Sequence, residues 1–305
     1  MIQWLVDTWP PKDPTSRRLL CNPESLAELG QRYGSGNGSA TDLSDQFSLA
    51  LHDMRMGGTW KRTNRGRLVR AEKAMCDHLV RGPSGDITAI DLGASDGVTT
   101  LDLLHALETR FGSNTRVFLT DLNLWLLRYR KGPIIEYRAG DDEPVLARFG
   151  RFALRLSSRR HNSEQADDPL VRCYLGCGAL RRSMRFEGKI ALVNPQVSQQ
   201  PGIIIRELNC LVHDPSLVDV ASAVRASNVL NRDYFSDAEV NLALTNIHSY
   251  LKDAGLLVVS RNADAAGGEV ENGSVWRKEA RGFAHVEDFG AGSEMKDVVD
   301  NWRLK

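Results

Sequence analysis

The sequence predicts an α/β protein organised around one parallel β-α-β unit, and three observations carry that reading. Residues 87–92 form an apolar run of strand length, and the turn Gly93-Ala94-Ser95-Asp96-Gly97 follows directly. Residues 98–111 then place leucines at 101, 103, 104 and 107, the spacing of a helix face. A second apolar run, 116–121, comes after Gly112-Ser113-Asn114 and ends on Asp121, so the helix serves as the crossover between two parallel strands.

The elements on either side follow in order. Apolar residues recur at three- and four-residue steps over 23–30, 40–52 and 67–80, with a Gly34-Ser35-Gly36-Asn37-Gly38 hinge, so residues 1–82 are expected to be a helical N-terminal region. Residues 83–305 are then the main domain. Over about 124–200 the rhythm breaks into pieces punctuated by Gly and Pro, including 133–138 and 146–156 and the polar stretch 157–169. That segment is expected to be a β-rich insertion after the second strand. Strands are expected again at 202–208, 217–224 and 256–260. Ser236 with Glu239 three residues later has the form of a capping box, opening a helix to about residue 252 that Gly255 closes. Residues 275–278 and 283–286 suggest a closing antiparallel hairpin, and no internal repeat is evident.

Composition narrows the function. Of 305 residues, 42% are hydrophobic and 26% charged, the balance of a soluble globular protein. Lys plus Arg and Asp plus Glu both total 39, so no bulk positive field favours nucleic acid as a partner. The cationic runs at 61–73 and 148–160 read as solvated faces. The five cysteines are scattered, Met1 to Pro10 lacks the pattern of an export signal, and no stretch approaches the roughly 18 apolar residues of a membrane span. These features predict a cytoplasmic protein with no membrane association. Cys173 and Cys177 have no second ligand pair at zinc-finger spacing, so no metal is expected.

Nucleotide-containing cofactors bind at the carboxyl ends of parallel strands, where a glycine turn admits ligand atoms to the main chain and a helix N-terminus follows. Asp91, Gly93, Ala94, Ser95 and Gly97 occupy that position, with Asp91 expected to orient polar groups of the ligand. Asp121, 24 residues beyond Gly97, ends the next strand, where a carboxylate accepts hydrogen bonds from both hydroxyls of a ribose; Leu122 adjoins it. Ser95 stands where a dinucleotide fingerprint has its middle glycine, which disfavours a nicotinamide dehydrogenase.

Over roughly 86–262, the insertion excluded, the sequence resembles class I S-adenosylmethionine-dependent methyltransferases. The resemblance implies a Rossmann-like, mostly parallel seven-stranded sheet with helices on both faces, with S-adenosylmethionine as cofactor and S-adenosylhomocysteine as product. More narrowly, residues 202–209, 218–230, Tyr234-Phe235 and 251–259 are similar to the chemotaxis-receptor methyltransferase family, as are the helical preface and the insertion. That likeness implies Asn209 near the adenine, Ser227 and Asn228 beside the methionine moiety, and Tyr234 facing the transferable methyl. It also implies that Thr59 and Arg62, in the segment 57–62, contact cofactor and reaction centre. The family's acidic residues after the glycine loop are absent from Gly97-Val98-Thr99-Thr100, and two extra residues separate Asn228 from Tyr234.

The expected activity is methyl transfer to the oxygen of an acidic small molecule or a carboxylate, with Arg62 holding the anion and Tyr234 orienting it. A protein glutamate is the alternative acceptor, and a non-catalytic cofactor-binding or interaction protein is the reading from another class. His213 is the one histidine placed for general-base work. His105, His248 and His285 read as packed, and Asn194-Pro195-Gln196 precedes the wrong strand to serve as an amino-group methylation motif.

Overall fold

The computed structural model describes residues 23–52, 54–56, 59–61, 63–82, 85–140, 142–150, 152–156, 169–265 and 268–304. The start at Met1 to Pro10, Cys21, Gly57, Gly58, Arg62 and the polar residues 157–168 therefore lie outside the described residues. The chain divides into two compact units, one of residues 1–62 with 123–196 and one of 63–122 with 197–305.

The first unit begins with α1 (Pro23–Gly34), α2 (Ala40–His52) and a ribbon of β1 (Arg55–Met56) and β2 (Thr59–Trp60). The second unit takes up the chain with α3 (Val69–His78), β3 (Ile87–Leu92), α4 (Val98–Phe111) and β4 (Thr115–Asp121). The insertion returns to the first unit with β5 (Trp125–Lys131), β6 (Ile134–Arg138), β7 (Pro144–Phe149), β8 (Phe152–Arg155), α5 (Pro169–Gly176), α6 (Gly178–Arg182) and β9 (Arg185–Ala191). The remainder is β10 (Ile203–Glu207), β11 (Ala221–Ser227), α7 (Asp237–Tyr250), β12 (Leu251–Ala265), β13 (Gly268–Glu279), β14 (Gly282–Phe289) and α8 (Lys296–Asn301).

In the first unit, β5 to β9 form an antiparallel sheet in the order β8-β7-β6-β5-β9, so the expected β-rich insertion is present as successive hairpins. Leu26, Leu43, Phe47 and Leu51 of α1 and α2 pack with Leu126, Ile135, Tyr137 and Ile190 of that sheet. Glu24 of α1 accepts hydrogen bonds from Arg128, Tyr137 and Arg148, which fixes the helix over the strands.

The second unit is built on a seven-stranded sheet in the order β10-β4-β3-β11-β12-β13-β14. Its first five strands are parallel, and β13 and β14 close it as an antiparallel meander. In chain order within the unit this is 3-2-1-4-5-6-7, the doubly wound Rossmann-like arrangement, with the direction of winding reversing between β3 and β11. Alternating side chains serve the two faces. Ile87, Ala89, Ala223, Val258 and Val275 pack with α3 and α4, while Ile90, Val224, Val259 and Trp276 pack with α7 and α8. Helices therefore cover both faces, as the sequence predicted.

Boundaries differ where turn chemistry competes with hydropathy. The strand expected at 217–224 is β11 at Ala221–Ser227, because Asp214 accepts from the Ser216 N–H to start a 3-10 turn at Pro215–Leu217, and Asp219 then adopts φ +54°. The strand expected at 256–260 is the fifteen-residue β12. The Ser236–Glu239 capping box opens α7 as expected, and the helix ends at Tyr250 rather than near 252.

Candidate functional site

Four strands of the larger sheet, β3, β4, β10 and β11, run parallel, so the segments after their carboxyl ends share one edge. That edge brings together the turn 93–97, Asp121 with Leu122, Asn209, and the loop 228–235. The reversal of winding between β3 and β11 is where a doubly wound sheet opens a crevice for a ligand.

The glycine turn is fixed by main-chain geometry. Gly93, Ser95 and Gly97 have φ of +67°, +59° and +87°, and Gly97 opens α4 from a left-handed conformation. A Cβ on Gly97 would lie 2.2 Å from Leu119 Cδ1 and 2.9 Å from Val197 Cγ1, so glycine here permits the close packing of turn on sheet. A Cβ on Gly93 would lie 2.8 Å from Val229 in the loop after β11.

Turn and strand tip are in contact. The Ala94 N–H donates to the Thr120 carbonyl at 3.0 Å, and the Ser95 N–H donates to Asp121 Oδ2 at 2.9 Å. Asp121 thus stands against the turn, as its spacing predicted. Ser95 Oγ is buried without a hydrogen-bond partner, an unusual state for a hydroxyl and one that a ligand hydroxyl or amine would relieve. Leu122 is 48% exposed beside Asp121, and Asn209 accepts from the Leu211 N–H at 3.0 Å, shaping the turn after β10.

Three of the residues expected at the ligand make hydrogen bonds within the protein. Asp91, expected to orient the ligand, is buried, and its two oxygens take Arg225 Nε at 2.9 Å, Arg225 Nη2 at 2.7 Å and Thr100 Oγ1 at 2.6 Å. It holds the turn from beneath. Asn228, with φ +59°, accepts from the Asn262 N–H at 2.8 Å and donates to Asn262 Oδ1 at 3.0 Å, so its amide braces a turn. Ser227 is buried, its hydroxyl 2.7 Å from that of Ser260, which donates to Glu271.

Tyr234 is half-buried in the loop 228–235, its N–H donating to Asn231 Oδ1 at 3.1 Å. Arg62 lies outside the described residues, and Thr59 is described only as main chain in β2. His213 is exposed, with its ring stacked on Tyr250 at 6.0 Å between centroids. Cys173 and Cys177 are exposed free thiols, and no group of three or more His, Cys, Asp or Glu able to hold a metal occurs among the described residues. Nor is any described helix long and apolar enough to cross a membrane.

Sequence reasoning missed the groups that organise this edge. Arg225, fully buried in β11, reaches Asp91, Glu72 Oε1 at 3.1 Å and the Thr99 carbonyl at 2.8 Å. Glu271 of β13 accepts from the N–H groups of Arg70 and Ala71 at 2.9 and 3.3 Å. Burial pushes the Glu72 carboxyl up to about 7 against the pull of Arg225, with Asp102 and Glu271 adding to the rise, and burial also raises Glu271. Asn231 caps its own loop, accepting from Asp233 and Tyr234. An arginine flanked by small apolar residues at 223–226 was the one available signal.

Comparison with protein-family models and with curated proteins gives no match. Among solved structures, the chain is similar to the citrinin polyketide synthase CMeT domain at 16% identity and TM-score 0.35, over 79% of this chain and 48% of that one. It is similar to the trans-methyltransferase CalH in complex with SAH at 11% identity and TM-score 0.32, over 80% and 54%. Geranyl diphosphate C-methyltransferase from Streptomyces coelicolor stands at 15% identity and TM-score 0.30, over 64% and 44%. The chain spans about half the length of these solved chains. Likenesses at this level carry no weight for function here, and the fold class rests on the strand order itself.

Proposed function

We propose that this chain is an S-adenosylmethionine-dependent methyltransferase acting on a small molecule, with the adenosyl group held at the β3–β4 edge. The observation that carries the reading is the pairing of the Gly93–Gly97 turn with Asp121 through Ser95, at the switch point of a doubly wound sheet. The residues present fit an adenosyl group: Asp121 would accept from ribose hydroxyls, and the partnerless Ser95 hydroxyl would gain a polar neighbour. Gly93, Ala94 and Gly97 would offer main chain to the ligand, Leu122 an apolar surface, and Asn209 a polar edge for the adenine. Asp91, Ser227 and Asn228 would support these from behind.

When bound, the cofactor supplies a sulfonium methyl that passes directly to a nucleophile. The protein's part is to orient that nucleophile and exclude water, for which Tyr234 is the candidate on the loop after β11. The finer reading, O-methylation of an acidic acceptor anchored by Arg62, rests on the cationic run at 61–73 alone. A protein glutamate is the alternative acceptor.

Calorimetry of the full chain with S-adenosylmethionine and S-adenosylhomocysteine tests the binding half. Asp121→Ala should weaken both by about 10-fold or more, the worth of hydrogen bonds to a charged group; unchanged affinity refutes the assignment. A second reading, binding without catalysis, is supported by Gly97-Val98-Thr99-Thr100, which lacks the acidic residues that the chemotaxis-receptor family carries after its glycine loop. Mass spectrometry for S-adenosylhomocysteine formed with a metabolite extract separates the two, since sustained acceptor-dependent turnover excludes the second.

A further inference from the structure

One guanidinium holds both ends of the glycine turn. Asp91, two residues before Gly93, takes Nε and Nη2 of Arg225 as a bidentate pair, and Arg225 and Asp91 are direct cross-strand neighbours. Nη2 also donates to the Thr99 carbonyl in the first turn of α4, two residues after Gly97, and Thr100 Oγ1 donates back to Asp91. Nη1 donates to Glu72 of α3 at 3.1 Å. The strand entering the turn, the helix leaving it and a second helix are thereby referred to one fixed cation.

The cluster is costly to bury. Asp91, Glu72 and Glu271 are three buried carboxylates, and Arg225 is the cation paired with the first two. Charges taken out of water recover little net stability compared with well-packed apolar groups of the same volume. Their return is geometric, because a planar fork fixes distance and angle where apolar packing fixes mainly volume.

We propose that Arg225 is the positioning residue of the ligand-binding turn, acting through Asp91 and the Thr99 carbonyl without touching the ligand, and that Glu72 competes for the same guanidinium. The inference rests on the reading of the turn as an adenosyl site. Glu72 is faced by Arg225 from β11, Asp102 from α4 and Glu271 from β13, with Cys76 on its own helix. Its carboxyl, raised to about 7 chiefly by burial, changes charge in the neutral range. Below that value neutral Glu72 leaves the full charge of Arg225 to Asp91 and the turn. Above it, ionised Glu72 draws the guanidinium toward α3. Affinity for the adenosyl ligand is accordingly higher on the acid side, with a midpoint near 7 set by Glu72.

The test is calorimetric titration of the full chain with S-adenosylhomocysteine from pH 6 to pH 8, for wild type, Arg225→Lys and Glu72→Gln, with circular dichroism melts in parallel. Wild type should lose about 2- to 10-fold in affinity across that range, the value of one shared hydrogen bond. Glu72→Gln should bind with a flat profile, and folded Arg225→Lys should bind about 10-fold or more weakly, since an ammonium cannot form the fork. A folded Arg225→Lys with wild-type affinity, or a Glu72→Gln profile that still bends near 7, overturns the positioning role and leaves the adenosyl reading standing. If Arg225→Lys does not fold, the Glu72→Gln profile decides. Absence of binding by wild type at every pH overturns the adenosyl reading, and the positioning role falls with it.

Discussion

Replacing Gly97 by alanine separates two demands that the turn makes on one residue. At φ +87° an L-residue pays a conformational penalty of about 1 to 2 kcal/mol. The new methyl would also sit 2.2 Å from Leu119 Cδ1 and 2.9 Å from Val197 Cγ1, both held in the packed interior, an overpacking worth about 1 to 3 kcal/mol. The total is about 2 to 5 kcal/mol. Gly66→Ala is the control: φ is +67° and nothing lies within 4 Å of its Cβ position, so conformation alone costs about 1 kcal/mol. Urea denaturation followed by circular dichroism reads both variants against wild type, and the Gly97 variant should melt on the order of 10 °C lower. If Gly97→Ala falls within about 0.5 kcal/mol of Gly66→Ala, the close packing of turn on β4 is not what requires glycine.

Ser236→Ala removes the side-chain half of the α7 capping box and should cost about 1 kcal/mol in urea denaturation, with Ser236→Asp restoring most of it; equal loss in both variants would contradict the cap. His248 is buried against Phe283 and Trp302 with Nε2 2.8 Å from the Glu279 carbonyl, and burial lowers its pKa from 6.5. The unfolded chain therefore takes up the proton first, so this contribution to stability is present above about pH 6.5 and lost as the pH falls through the depressed value. His248→Gln does not titrate, and its stability deficit relative to wild type should shrink between pH 7.5 and pH 5 in denaturant titrations; a constant deficit would refute the assignment.

The parallel core was legible because each of its signals is local. Residues 87–92, the turn and residues 98–111 carry strand, glycine and helix periodicity in unbroken succession, and α2 and α4 begin and end where the spacing of their apolar residues placed them. The strand β11 was misplaced because Asp214-Pro215 makes its turn through a side-chain hydrogen bond, which hydropathy does not register. The residues at the carboxyl edge of the sheet were legible by position, their hydrogen-bond partners less so. Asp91 and Asn228 stand where expected, yet their partners Arg225 and Asn262 lie 134 and 34 residues away, and only the assembled sheet makes them neighbours. Asn194, set aside as a methylation motif, is fully buried and bonded to Ser44 and Ser48 within the first unit.

The connection between β4 and β10 also sets the entropic cost of closing the sheet. Val117 and Ile203 are paired neighbours, although the whole of residues 123–196 intervenes between their strands. Pairing β3 with β4 closes a loop of some two dozen residues. The β10 edge spans more than 80 further residues and bears the larger entropic toll of a long loop. The contact of the Asp121 carboxylate with Ser95 thus depends on a far shorter loop than the pairing of β10 beside it.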